Sequence, residues 1–317
     1  MRAIWLENQI VSIREDLPIP QPAEGEALVR VRLAGICNTD LEMTRGYYPF
    51  SGILGHEFIG EVVNSSNQSL EGTRVTGEIN IICGVCNACK QGTSSHCENR
   101  KTLGIHERPG CFAEYLAIPI RNLHRIPETV KDESAVFTEP LAAALQIQQQ
   151  VQIKPSDRVL IVGAGRLGQL IAQTLALTGC DLNVVVRHEY QRKVLSRRGI
   201  NTLPEMMVGS RLYDLVVDAT GSPGGFDLAR KAVRPRGMLV IKSTYTDELT
   251  INFSSLVVDE ITLVGSRCGP FEPALRMLEV GVVNPTPLIT ARYPLMDGMA
   301  AMEHASQPGV FKILLDF

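Results

Sequence analysis

"RVLIVGAGRLGQLIAQTLALTG", residues 158–179, sets the fold of the second part of this 317-residue chain. "RVLIV" is an unbroken apolar run, the mark of a strand buried on both faces of a parallel sheet. "RLGQLIAQTLALTG" carries helical apolar spacing and ends at Gly179. Between them Gly163, Gly165 and Gly168 form G-x-G-x-x-G, with Leu167 inside the motif. The pattern is weak in isolation, but here it leaves a strand and opens a helix. In that context the first glycine makes a tight turn, the second lets the backbone approach a pyrophosphate, and the third lets helix and strand pack closely. The helix N-terminus then faces the phosphates.

Working outward, "DLNVVVR", "LYDLVVDATG" and "GMLVIKSTY" read as further strands of the same sheet. The first third differs: "EALVRVRLAGIC" and "IGEVVNSS" show β-branched alternation, as in a barrel-like all-β unit. "DESAVFTEPLAAALQIQQQV" has helical spacing from residue 132, and "VFKILLDF" reads as a final strand. The expected division is residues 1–130, then 131–270 for the nucleotide-binding sheet, with 271–317 a mixed segment whose last strand could return to the first part. "NTLPEMMVGSRLYD" leaves little room for a helix between two of the sheet strands.

The bulk properties bound the function. The chain is 44% hydrophobic and 21% charged, with a net charge of −3. That composition suits a globular protein and gives no electrostatic case for nucleic acid or an anionic membrane. No apolar run approaches the roughly twenty residues of a membrane span. The polar N-terminus does not read as a signal peptide, so a cytoplasmic location with reduced thiols is expected.

The strand "DLNVVVR" reports on the cofactor. An NAD site places Asp or Glu at its end to accept from the ribose 2′-hydroxyl. This chain has Val186 there, then Arg187 and His188. A carboxylate repels a 2′-phosphate, whereas a guanidinium binds one through two donors. The sequence therefore predicts NADP(H) in preference to NAD(H). The competing reading leaves Arg187 solvated and lets Glu189 reach the ribose.

Two groups of metal-type residues stand out. "ICGVCNACKQGTSSHC" holds Cys83, Cys86, Cys89 and Cys97 within fifteen residues. Four thiolates make a closed tetrahedral set with no position for substrate, which is structural zinc chemistry. Cys37, in "GICNTDLE", and His56 with Glu57, in "GHEFIG", are a second set, and zinc is the ion they suit best. Cys111, Cys180 and Cys268 read as buried small apolar residues.

"GICNTD", "GHEFIG", the cysteine cluster, "TLGIHERPGCFAEYLAIP", "FTEPLAAAL", "VLIVGAGRLG" and "VVDATGSP" come in an order that resembles the zinc-dependent medium-chain dehydrogenases, nearly end to end. That family includes alcohol, sorbitol, glucose and threonine dehydrogenases. The resemblance implies an α/β chain: a GroES-like β-barrel catalytic domain joined to a Rossmann doubly wound parallel sheet. It implies two zinc ions per chain, the catalytic one on Cys37 and His56, with Glu57 as a ligand or exchanging partner. Glu139 takes the remaining position, directly or through water. Thr39 stands where a proton-relaying hydroxyl is found, and Asp40 where a carboxylate orients the histidine. Lys242 and Ser243 are expected near the nicotinamide. The implied reaction is reversible hydride transfer between an alcohol or polyol and its aldehyde or ketone, in a homodimer or homotetramer. The alternatives are a zinc-free enone or quinone reductase and a catalytically silent NADP-binding sensor.

Overall fold

The computed structural model describes residues 1–245 and 248–317. The chain forms two compact units, Met1–Glu139 with Phe271–Phe317, and Pro140–Pro270.

The first unit is built on the strand Glu26–Gly35. Ala27, Val29, Val31 and Leu33 point inward and are buried, while Arg30 and Arg32 face out. This alternation makes the strand the axis of a seven-stranded sheet. On one side it pairs antiparallel with Glu57–Ser65, placing Gly35 opposite Glu57. On the other it pairs antiparallel with Lys312–Asp316, placing Leu314 opposite Gly35. The end of the chain thus returns to the middle of a sheet begun near its start. The strand Ile289–Pro294 lies beside it in parallel.

The boundary falls at Glu139 rather than at residue 130. The helix Asp132–Ala135 packs against the helix Phe271–Glu279 and so belongs with the returning segment. Arg292 fastens it, donating to Glu133 at 2.7 Å and also to Asp316. The helical pattern of residues 132–151 is not one helix. It breaks at Val136 and Phe137, both buried, and resumes as Thr138–Gln150.

The second unit is a six-stranded parallel sheet. In space its strands run Asn201–Leu203, Asp181–Val185, Arg158–Val162, Tyr213–Asp218, Val233–Ile241 and Thr262–Gly265. Numbered along the chain this is the order 3-2-1-4-5-6, whose reversal lies beside the first strand and whose ligands bind outside the carboxyl ends. Arg158–Val162 is that first strand, and its carboxyl end carries the glycine loop. Between Leu203 and Tyr213 there is no α-helix, only the 3₁₀ turn Glu205–Met207.

Leu314 is completely buried in the returning strand. Leu314→Ala is expected to destabilise the first unit by about 2–5 kcal/mol, the cost of a core cavity. Urea unfolding followed by circular dichroism measures it, with the transition of the first unit moving to lower denaturant.

Candidate active site

Cys37 follows the central strand and opens the helix Asn38–Met43. Its N–H donates to Asp40 Oδ2 at 2.8 Å, and Thr39 Oγ1 lies 3.7 Å from its sulfur. His56 and Glu57 enter the neighbouring strand, so ligand atoms of Cys37, His56 and Glu57 come within 4.8 Å of one another. Asp40 is fully buried, and its Oδ1 stands 3.2 Å from His56 Nδ1, close but not aligned as a hydrogen bond. A carboxylate on that side leaves Nε2 for a metal. Burial pushes the His56 imidazolium down, but the charges of Asp40 and Cys37 outweigh it and hold the group well above an ordinary histidine.

Glu57 offers the oxygen that best fits a cation. Its Oε2 accepts from Lys312 Nζ, whereas Oε1 is buried with no hydrogen-bond partner. An orphaned carboxylate oxygen is costly unless something positive meets it. Lys312 is itself buried, donates to the Ile36 carbonyl at 3.3 Å, and lies 5.7 Å from the centre of the Phe137 ring. Sequence reasoning missed Lys312. A lysine inside the apolar run "VFKILLDF" was the available signal. Glu139 lies in the first turn of Thr138–Gln150, and its carboxylate is not among the converging atoms. Cys111 is buried beneath the site with its sulfur 3.6 Å from the Glu57 carbonyl, while Cys180 and Cys268 are only half-buried, not the core residues expected.

The second cluster is already spaced for an ion. Sulfur separations are 3.5 Å for Cys86–Cys89, 3.6 Å for Cys83–Cys97 and 3.9 Å for Cys86–Cys97. A tetrahedron with Zn–S of ~2.3 Å has edges of about 3.8 Å. All four cysteines are free, at distances that exclude disulfides. The N–H groups of Val85 and Cys86 pull the Cys83 thiol down to about 6, while desolvation and Cys86 push Cys89 up to about 12. Four such thiols cannot all ionise without a cation to share, a part that zinc would fill.

The nucleotide loop shows which glycines serve the fold and which serve a ligand. Gly163 has φ +103°, and a Cβ on Gly168 would sit 1.9 Å from the Gly163 carbonyl oxygen. Internal packing therefore demands both. A Cβ on Gly165 would meet nothing within 4 Å. That open space, at the start of the helix Arg166–Ala176, fits a pyrophosphate approaching the backbone. Leu167 lies in the helix's first turn.

Val186 is buried and Arg187 is exposed, its Nη2 3.5 Å from Glu205 Oε2. His188 stacks on Tyr190 at 5.4 Å, and Glu189 pairs with Arg192 at 3.1 Å. Lys242 is buried, its ammonium donating to Ser266 Oγ at 3.2 Å and to the Arg267 carbonyl. Ser243 follows it, half-buried. Asp218 accepts from the Thr220 N–H at 2.9 Å, from the Thr220 hydroxyl at 2.7 Å and from the Tyr245 hydroxyl. Among the described residues no helix is long and apolar enough to cross a membrane.

Residues 23–128 match the alcohol dehydrogenase GroES-like domain. A sorbitol dehydrogenase of Halalkalibacterium halodurans is 31% identical over 95% of this chain and 94% of its own length. A protein of Sinorhizobium meliloti 1021 solved with NADP bound superposes with a TM-score of 0.91 at 27% identity, covering 100% of this chain and 99% of its own. An alcohol dehydrogenase of Escherichia coli CFT073 complexed with NADH gives 0.90 at 28% identity, with coverage of 100% and 99%.

Two outcomes are expected. Gly165→Val keeps the thermal stability of the wild type but weakens nucleotide binding by roughly tenfold or more, on the order of 1.4 kcal/mol, whereas Gly168→Ala loses about 1–3 kcal/mol of stability from the clash. Differential scanning fluorimetry and cofactor titration separate the two. Metal analysis of Cys97→Ala is expected to show one zinc fewer per chain and a lowered melting temperature, with the metal at Cys37 retained.

Proposed function

The chain belongs to the zinc-dependent medium-chain dehydrogenase family and is an NAD(P)-dependent alcohol or polyol dehydrogenase, and on that footing we propose that it interconverts an alcohol or polyol and its aldehyde or ketone with NADP(H) as the preferred cofactor. The observation that carries the reading is the convergence of Cys37, His56 and Glu57 around an orphaned carboxylate oxygen.

When bound, zinc supplies Lewis acidity to the substrate oxygen, and the nicotinamide supplies or accepts hydride. The rest falls to the chain's own residues. Cys37 and His56 would hold the metal, and Asp40, 3.2 Å from Nδ1, would orient the imidazole. Glu57, steadied by Lys312, presents its free oxygen to the same space. Glu139 is the proposed fourth ligand, directly or through water. Thr39, beside the Cys37 sulfur, is placed to receive and pass on the hydroxyl proton. Cys83, Cys86, Cys89 and Cys97 hold a second zinc that shapes the loop and meets no substrate.

At the cofactor the backbone at Gly165 and the helix N-terminus receive the pyrophosphate, and Arg187 with His188 receives the 2′-phosphate. Glu189, the competing ribose ligand, pairs with Arg192 on the exposed surface. Known relatives bind either cofactor, NADP in one and NADH in another, so the preference rests on Arg187. A polyol is favoured because Glu139 stands where a common alcohol dehydrogenase has cysteine and because the sorbitol dehydrogenase aligns over nearly the full length. A second copy of the chain is the proposed partner, pairing along the open edge of Thr262–Gly265, where Leu263 is exposed.

A screen of alcohols, aldehydes, sugars and polyols at fixed zinc, read by NAD(P)H absorbance, tests the function. Turnover of a polyol pair with NADPH ahead of NADH is expected, and an NADH preference overturns the cofactor assignment. Cys37→Ser is expected to lower kcat on the order of a thousandfold, the several kcal/mol that a Lewis-acid metal contributes. Retention of both zinc and activity in that variant excludes the assigned centre.

A further inference from the structure

Arg187 has a built-in competitor. The strands Asp181–Val185 and Asn201–Leu203 run parallel with Val185 opposite Leu203, so the chain leaves both at one level. The Val186 N–H donates to the Leu203 carbonyl at 3.1 Å and carries the pairing one step further. Two residues past the last pair, Arg187 and Glu205 emerge side by side, Nη2 to Oε2 at 3.5 Å. Glu205 opens the 3₁₀ turn Glu205–Met207, which follows the strand directly.

The arginine's backbone is held. The N–H groups of Arg187 and His188 both donate to Gln191 Oε1, at 3.1 and 3.2 Å. The Gln191 carbonyl in turn accepts at 3.2 Å from Gln169, on the helix that opens at the glycine loop. The distance from the pyrophosphate cradle to Arg187 is therefore a property of the fold. Both members of the ion pair are about half exposed, so the pair is weak enough for a ligand to break.

We propose that Glu205 is a specificity-determining residue, competing with the cofactor 2′-phosphate for Arg187 and so restraining the preference for NADP(H). The inference rests on the reading of Arg187 as the phosphate's partner. A 2′-phosphate reaching the guanidinium displaces the carboxylate and then lies close to its negative charge. A 2′-hydroxyl carries no charge and leaves the pair intact. Glu205 therefore taxes one cofactor and spares the other.

The test uses calorimetric binding of 2′,5′-ADP and 5′-AMP to the whole zinc-loaded protein, so no turnover is required. Glu205→Gln is expected to tighten 2′,5′-ADP by about three- to fivefold and to move 5′-AMP by less than about twofold. High salt shrinks the gain, because the competing charges are exposed. Arg187→Ala is expected to weaken 2′,5′-ADP selectively. If Arg187→Ala does so while Glu205→Gln shifts neither ligand, or both alike, the role of Glu205 is overturned and the NADP reading stands. If Arg187→Ala leaves 2′,5′-ADP binding unchanged, both fall.

Discussion

The site depends on one buried ion pair, Glu57 with Lys312. Both residues are almost wholly inaccessible, and they lie 255 positions apart in the chain. A buried carboxylate without a partner costs several kcal/mol, so its neighbour cannot be left to chance. The central strand makes the meeting possible by pairing with Glu57–Ser65 along one edge and Lys312–Asp316 along the other, with Gly35 in between. A Cβ on Gly35 would stand 2.6 Å from Glu57 Oε2 and 3.4 Å from Lys312 Cδ. Only a residue without a side chain leaves the pair its room. The discontinuous first unit follows from this. The chain departs at Glu139, builds the nucleotide-binding sheet, and returns at Phe271 to neutralise a charge it placed near its start.

The two groups of residues that could hold a metal answer different demands. The four cysteines lie on one short loop, and their sulfurs stand near tetrahedral edges with no help from the large sheet. Such a set is complete and closed. Cys37, His56 and Glu57 are gathered instead from a helix start and a strand start, and they converge only because the sheet holds those ends together. Three donors, one of them the spare Glu57 oxygen, make an open set, which is the form that catalysis requires.

This difference governs how much was legible in the sequence. The glycine loop and the cysteine loop are local, so their spacing, with a strand before and a helix after the glycines, makes them visible in the sequence. The parallel sheet was legible too, because strands buried on both faces write unbroken apolar runs. The partner of Glu57 was not legible, since no periodicity reports a pairing between the first and last strands of a sheet. The helix break at Val136 and Phe137 was hidden for the same reason. Both residues are apolar and fit a helical pattern, and only their burial in the first unit reveals that they serve another purpose. The boundary at Glu139 follows from that packing, not from any change in composition.

The short connection after Leu203 shows how a turn can set local electrostatics. A helix there would carry the chain down the face of the sheet before its return at Tyr213. The 3₁₀ turn keeps it at the carboxyl edge, where parallel sheets bind their ligands. Apolar coverage is lost: Met206 is 91% exposed and Met207 71%, while Leu203 and Val208 only partly cover the core around Phe226. In exchange, a carboxylate stands beside the arginine at the end of the adjacent strand. An arginine in that position is what the sequence offers to a phosphate in the proposed reading. On that reading, how freely it acts depends on a carboxylate eighteen residues further along the chain.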